Sequence, residues 1–161
     1  MVLGMSIATF TVVHVVISLI AIAAGVVACA RMLDGRRLDG WNSMFLLFTV
    51  LTTLTGFLFP IIAFTPAIGV GIVSSAALAI ALLALHAGHL AGAWRWIYVA
   101  SALFAFYLNV FVLVVQSFNK IGFLNRFAPT GSEPPFVIAQ GVVLLGFVLL
   151  GFLVLRRFRP I

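Results

Sequence analysis

The sequence predicts an all-α integral membrane protein, with five transmembrane helices in one bundle, and three observations predict it. From Gly40 to Trp94 the chain runs for 55 residues without Asp, Glu, Lys or Arg. A bilayer crossing takes about 20 apolar residues, so this stretch is long enough for two. Of all residues 65% are hydrophobic and 7% are charged, whereas a soluble domain averages about 25% charged. Further apolar runs of span length lie on either side of the charge-free stretch, separated by short polar loops. The 161 residues leave no room for a separate soluble domain, so residues 1–161 read as a single membrane domain.

The first span covers about 6–30. Met1–Ala30 lacks the basic leader of a signal peptide and its apolar part is too long for one, so it reads as a retained span. Ser18, Ala21, Gly25 and Ala28 recur every three or four residues and share a face, and small residues let helix backbones approach closely in lipid. A polar loop, Arg31 to Gly40, leads to the second span, about 41–59. Thr49, Thr52, Thr53 and Thr55 in it can bond to their own helix carbonyls, which lets lipid tolerate them without a ligand. Two prolines in Pro60-Ile-Ile-Ala-Phe-Thr-Pro66 break the helical pattern.

The third span, about 67–88, carries Gly71, Ser75 and Ala79 as a second small-residue stripe. A tight turn, Ala87 to Arg95, enters the fourth span, about 96–117. Phe118 to Gly131 is the longest loop; Phe118, Ile121, Leu124 and Phe127 lean to one side and predict a short helix in the membrane interface. The fifth span, about 135–155, starts after Pro129-Thr-Gly-Ser-Glu-Pro-Pro135, with Ser132 as its N-cap. Its Gly141, Gly146 and Gly151 are five apart, a spacing that turns them around the helix instead of aligning them.

Charge sets the orientation. Five spans place Arg31, Arg36, Arg37, Arg95, Arg156, Arg157 and Arg159 on one side and Lys120 and Arg126 on the other. Positive residues stay inside, which puts the N-terminus out and the C-terminus in. Trp41, Trp94 and Trp96 fall at the same inner interface, as an aromatic belt does. The net charge of +6 is thus used in the loops, and nucleic acid is not an expected partner. The lone cysteine, Cys29, has no partner for an intramolecular disulfide.

Two groups of residues could carry chemistry. His86 and His89 are an i, i+3 pair at the end of the third span, spaced to chelate a metal from one face; as residues at a helix C-terminus they equally suit the negative end of its dipole. His14, Asn109, Gln116 and Gln140 all fall in the outer leaflet. If spans one, four and five pack together, these four form a polar pocket for a quinone, a lipid head group or another amphipathic ligand. The alternative is that each hydrogen-bonds a neighbouring helix and does nothing more.

Haem b held between two histidines needs both at one depth, and His14 and His86 lie at opposite ends of their spans. The chain resembles small histidine-containing membrane cytochromes in having histidines on hydrophobic helices, but their paired pattern across the central helices is not matched. Asp34, Asp39 and Glu133 lie in loops or at a boundary. Proton-coupled transport and intramembrane aspartyl proteolysis both call for a buried carboxylate, so the sequence argues against each. It shows no nucleophile–base–acid set and no phosphate-binding glycine loop.

The run Tyr107-Leu-Asn-Val-Phe-Val-Leu-Val-Val-Gln116, followed by Ala128-Pro-Thr-Gly-Ser-Glu-Pro-Pro-Phe136, resembles segments of small bacterial inner-membrane proteins with no assigned activity. The resemblance covers the fourth and fifth spans and implies a bacterial cytoplasmic membrane. The expected function is non-enzymatic: an accessory or ligand-binding membrane protein with an outer-leaflet polar pocket, partnered by the lipid bilayer and by a second copy or another membrane protein. The alternatives are a redox protein holding haem b or a quinone through its histidines, and a small transporter or channel subunit.

Overall fold

The computed structural model describes residues 1–60 and 63–159. The described residues form six helices and no strand: α1 (Ile7–Leu33), α2 (Gly40–Phe57), α3 (Pro66–His86), α4 (Ala93–Lys120), α5 (Gly122–Asn125) and α6 (Pro134–Arg157). The predicted break falls between α2 and α3; its Ile61 and Ile62 lie outside the described residues. Four helices, α1, α3, α4 and α6, are long and apolar enough to cross a membrane. The remaining long helix, α2, has 18 residues, among them Asn42, Ser43 and four threonines, which leave it less apolar than those four.

Local chemistry explains the helix starts. The Ser6 hydroxyl accepts from the Thr9 N–H, the Asp39 carboxylate from Trp41 and the Thr65 hydroxyl from Ile68, each meeting an N–H that the first turn leaves unpaired. Pro66 then opens α3 at a position where a missing N–H is harmless. Ser132 does not cap α6. Glu133 holds that position, and its carboxylate accepts from the hydroxyl and N–H of Thr130 and from the N–H of Ser132. Desolvation pushes the Glu133 carboxyl up, but these bonds outweigh it and hold the group below the usual carboxylate range.

Two boundaries move outward. Helix α1 continues through Arg31, which pairs with Asp39, to Leu33. Helix α4 runs on through Phe118, Asn119 and Lys120. Phe118 is buried, with its ring 5.5 Å from that of Phe136, so it belongs to the bundle and not to an interfacial segment. Only the single turn of α5 remains there, carrying exposed Phe123 and flanked by exposed Ile121 and Phe127.

Contacts give the directions. Tyr98 donates to Asn42 and Asn109 donates to Thr49, which sets α2 parallel to α4. Phe118–Phe136, Phe106–Phe147 and Arg95–Leu155 set α6 antiparallel to α4. The Gly35 Cα region of the α1–α2 loop approaches the Arg157 carbonyl, where an added Cβ would sit 3.5 Å away. The arginine-rich segments therefore gather at one end, called the basic end below. Trp41, Trp94 and Trp96 lie exposed in the first turns of α2 and α4 at that same end.

Small residues decide the packing. Ala21, Gly25 and Ala28 of the predicted α1 stripe are buried, together with Ala24 and Cys29. On α3 the predicted stripe is displaced by one residue. Ser75 and Ala79 are exposed, and the buried face is Ser74, Ala77, Leu78, Ala81 and Ala84. Phe106 of α4 is central: it lies against Gly25 of α1, 5.5 Å from the Phe45 ring of α2 and 5.0 Å from the Phe147 ring of α6.

Candidate functional site

The residues expected to share an outer pocket take separate hydrogen-bond partners. His14 Nδ1 is 2.7 Å from Thr55 Oγ1, and Leu51 O is also 2.7 Å from that hydroxyl. Thr55 has one proton, which goes to its own helix, so His14 donates and the bond ties α1 to α2. Asn109 Nδ2 donates to Thr49 Oγ1 at 3.2 Å, tying α4 to α2. Gln140 Nε2 donates to Phe111 O at 3.1 Å, tying α6 to α4. Gln116 is exposed. Three of the four are thus single cross-links with different partners, and among the described residues none of the four bonds to another.

Gln140 offers a test of what such a cross-link is worth. Its Oε1 is buried without a partner, and the carbonyl it reaches belongs to the helical ladder of α4. An unpaired buried acceptor costs about 1–3 kcal/mol, whereas a polar pair inside a membrane protein averages about 0.6 kcal/mol. Gln140→Leu is therefore expected to leave the melting temperature in detergent unchanged or raise it. A fall of several degrees would show that Gln140 holds something more than Phe111.

Helix α3 ends at His86, and His89 lies beyond it with φ +47°, so the two histidines do not continue one helical face. Both are exposed, and among the described residues no group of three His, Cys, Asp or Glu side chains comes together to hold a metal ion. His14, bonded near the start of α1, and His86, at the other end of the bundle, lie at different depths.

A different set of residues shares a cleft. At the basic end a space of about 810 Å³ opens between the α3–α4 turn and the end of α6, lined by His89 to Gly92, Arg95, Leu155, Arg156 and Arg159. The turn is forced into a tight form. Trp94 packs directly over Gly88, where any Cβ would collide with its ring. His89, Leu90 and Gly92 then all take positive φ, which is unusual for the first two and easy for glycine.

Arg95 secures the other wall. Its Nη1 donates to Leu155 O at 3.0 Å and to Phe158 O at 2.6 Å, meeting carbonyls that the end of α6 leaves unpaired and placing a positive charge at the negative end of that helix. Phe158 is fully buried and fixes the tail that carries Arg159. The Arg156 guanidinium lies 4.2 Å from the centre of the Phe152 ring.

A second space of about 390 Å³ lies between α4 and α6, lined by Val99, Leu103, Tyr107, Phe147, Gly151 and Phe152 among others. Leu155 lines both spaces, so the basic cleft and the apolar groove adjoin at this residue. Gly151 forms part of the groove wall, and a Cβ there would sit 3.6 Å from Leu103 Cδ1. The sequence signal for this site was the sharing of one membrane side by Arg95, Arg156 and Arg159, which serves equally well to orient the chain.

Comparison with known proteins gives no match among family models, curated proteins or solved structures.

Proposed function

We propose that the chain is a five-span protein of a bacterial cytoplasmic membrane, N-terminus out and C-terminus in, of accessory or ligand-binding type and not an enzyme. Its ligand is an amphipathic molecule seated between α4 and α6 with its polar end at the basic end of the bundle. The alternation of α2 with the other long helices supports a fifth crossing. Three of its four threonines, Thr52, Thr53 and Thr55, bond to carbonyls of their own helix, as lipid requires of polar groups. Seven arginines at one end against Lys120 and Arg126 support the orientation.

The observation that carries the ligand assignment is the meeting of a basic cleft and an apolar groove at Leu155. A molecule with one charged end and one apolar chain matches both halves at once. The outer polar residues offer no such combination, because His14, Asn109 and Gln140 are taken up by bonds to neighbouring helices and Gln116 is exposed. The test is native mass spectrometry of the protein released from mild detergent. The parent protein is expected to retain a bound amphiphile. Gly151→Ala, whose added methyl makes only an ordinary contact with Leu103, is expected to retain it too. Gly151→Leu puts a branched chain into the groove and is expected to lose it while staying folded. Equal retention by Gly151→Leu would move the ligand elsewhere.

A further inference from the structure

We infer that the cleft at the basic end selects a lipid with an anionic phosphate head group, whose chain lies in the α4–α6 groove. The inference rests on the groove assignment above and adds the chemistry of the head group. Three kinds of positive group converge on the cleft. Arg156 and Arg159 line it with exposed guanidiniums, which match phosphate oxygens in pairs. Arg95 lines it as well, with Nη1 held by two carbonyls and the rest of its fork outside those bonds. The start of α4 is also there: no side chain caps it, and its N-cap residue, Gly92, is a lining residue. Ala91 O takes the Trp94 N–H, and the other N–H groups of a helix start favour an anion.

The negative side of the ledger agrees. Among the described residues none of those lining the cleft is acidic. Asp39 is paired with Arg31, and Asp34 faces Arg36. A zwitterionic lipid would bring a cationic group that finds no carboxylate here. The aromatic face beside the cleft, Phe152, is already covered by Arg156. A free phosphate would leave the groove unused. That groove runs from Val99 to Tyr107, a rise of ~12 Å along α4. It is bordered by exposed Phe104, Leu144, Val148 and Phe152, so a chain could enter it sideways from the bilayer. Basic pockets between helices at the cytoplasmic side are where anionic head groups bind membrane proteins.

The experiment titrates the detergent-purified full chain with phosphatidylglycerol or phosphatidylcholine of identical acyl chains, read by native mass spectrometry, with inorganic phosphate as a third arm. The parent protein is expected to prefer phosphatidylglycerol. Each arginine near an anionic surface is worth about a factor of five, so R156Q with R159Q is expected to cut that preference about thirty-fold. R159Q alone, at an exposed site beyond α6, is expected to cut it about five-fold and serves if the double variant misfolds. Gly151→Leu is expected to weaken both lipids alike.

An unchanged preference in the arginine variants, with Gly151→Leu still weakening both lipids, would overturn the head-group inference and leave the groove standing. Undiminished binding of both lipids by Gly151→Leu would overturn the groove and this inference with it. Displacement of phosphatidylglycerol by inorganic phosphate at equal concentration would make the site one for soluble phosphate and overturn the lipid assignment.

Discussion

Gly25→Leu is expected to lower the thermal midpoint of the purified protein more than removal of the His14, Asn109 or Gln140 cross-link. A Cβ at position 25 would lie 2.9 Å from Phe106 Cε2 and 3.0 Å from two further ring atoms. Phe106 is only 4% exposed, and the rings of Phe45 and Phe147 stand on its other sides, so it has nowhere to go. Overpacking of a closed core costs about 1–3 kcal/mol. The cross-links made by His14, Asn109 and Gln140 are expected at about 0.6 kcal/mol each. Trimming the obstacle should reverse the effect. Phe106→Leu alone leaves a cavity and destabilises, but combined with Gly25→Leu it is expected to recover part of the loss, a non-additivity that a double-mutant cycle measures. Strict additivity of the two changes would mean that α1 and α4 do not meet through this pair.

Arg95→Leu is expected to release the last turn of α6 together with the buried Phe158. The change removes two charge-assisted bonds, to Leu155 O and Phe158 O, and it strips the negative helix end of its compensating cation. Hydrogen bonds to charged groups contribute about 1.5–3 kcal/mol each when buried; Arg95 is half-buried, so a total of about 2–3 kcal/mol is expected. Hydrogen exchange provides the local reading: amides near Val154 and Phe158 should exchange much faster, while those of α1 and α3 stay protected. Arg95→Lys keeps the charge but loses the fork, and is expected to restore the dipole interaction and only one of the two bonds. Uniform loss of protection across all helices would instead make Arg95 a determinant of the whole bundle.

The helical architecture was legible because a chain with so few charges has few ways to satisfy its backbone in lipid. The α1 stripe was legible for a similar reason: Gly25 and its neighbours are small on one side and bulky on the other. Helix α3 defeated the same reasoning. Gly71, Ser75 and Ala79 form one small stripe and Ser74, Ala77 and Ala81 another, one residue away. Lipid is as apolar as the bundle interior, so hydropathy does not choose between them. The choice falls to the contact of Ser74 with Thr53, at 3.3 Å, which depends on where α2 lies.

The expected outer pocket failed on the same ground. His14, Asn109 and Gln140 each meet a carbonyl or a hydroxyl of a neighbouring helix. Two of the α2 threonines, Thr55 and Thr49, are the acceptors for His14 and Asn109. The basic cleft brings residues 89–95 together with residues 155–159, a closure across some sixty positions that only the antiparallel register of α4 and α6 creates.

The polar partners of α2 are spread over three helices: Thr55 with His14 of α1, Thr53 with Ser74 of α3, and Asn42 and Thr49 with Tyr98 and Asn109 of α4. A ribosome delivers the chain N-terminal end first, so when α2 emerges only the His14 partner exists. The helix made second is then among the last to be satisfied. Until α4 arrives, Asn42 and Thr49 must stay near the aqueous channel of the insertion machinery or at the membrane surface. Order of synthesis and order of assembly therefore differ in this protein, and a nascent chain stalled before Tyr98 would present α2 to quality-control proteases as its least settled segment.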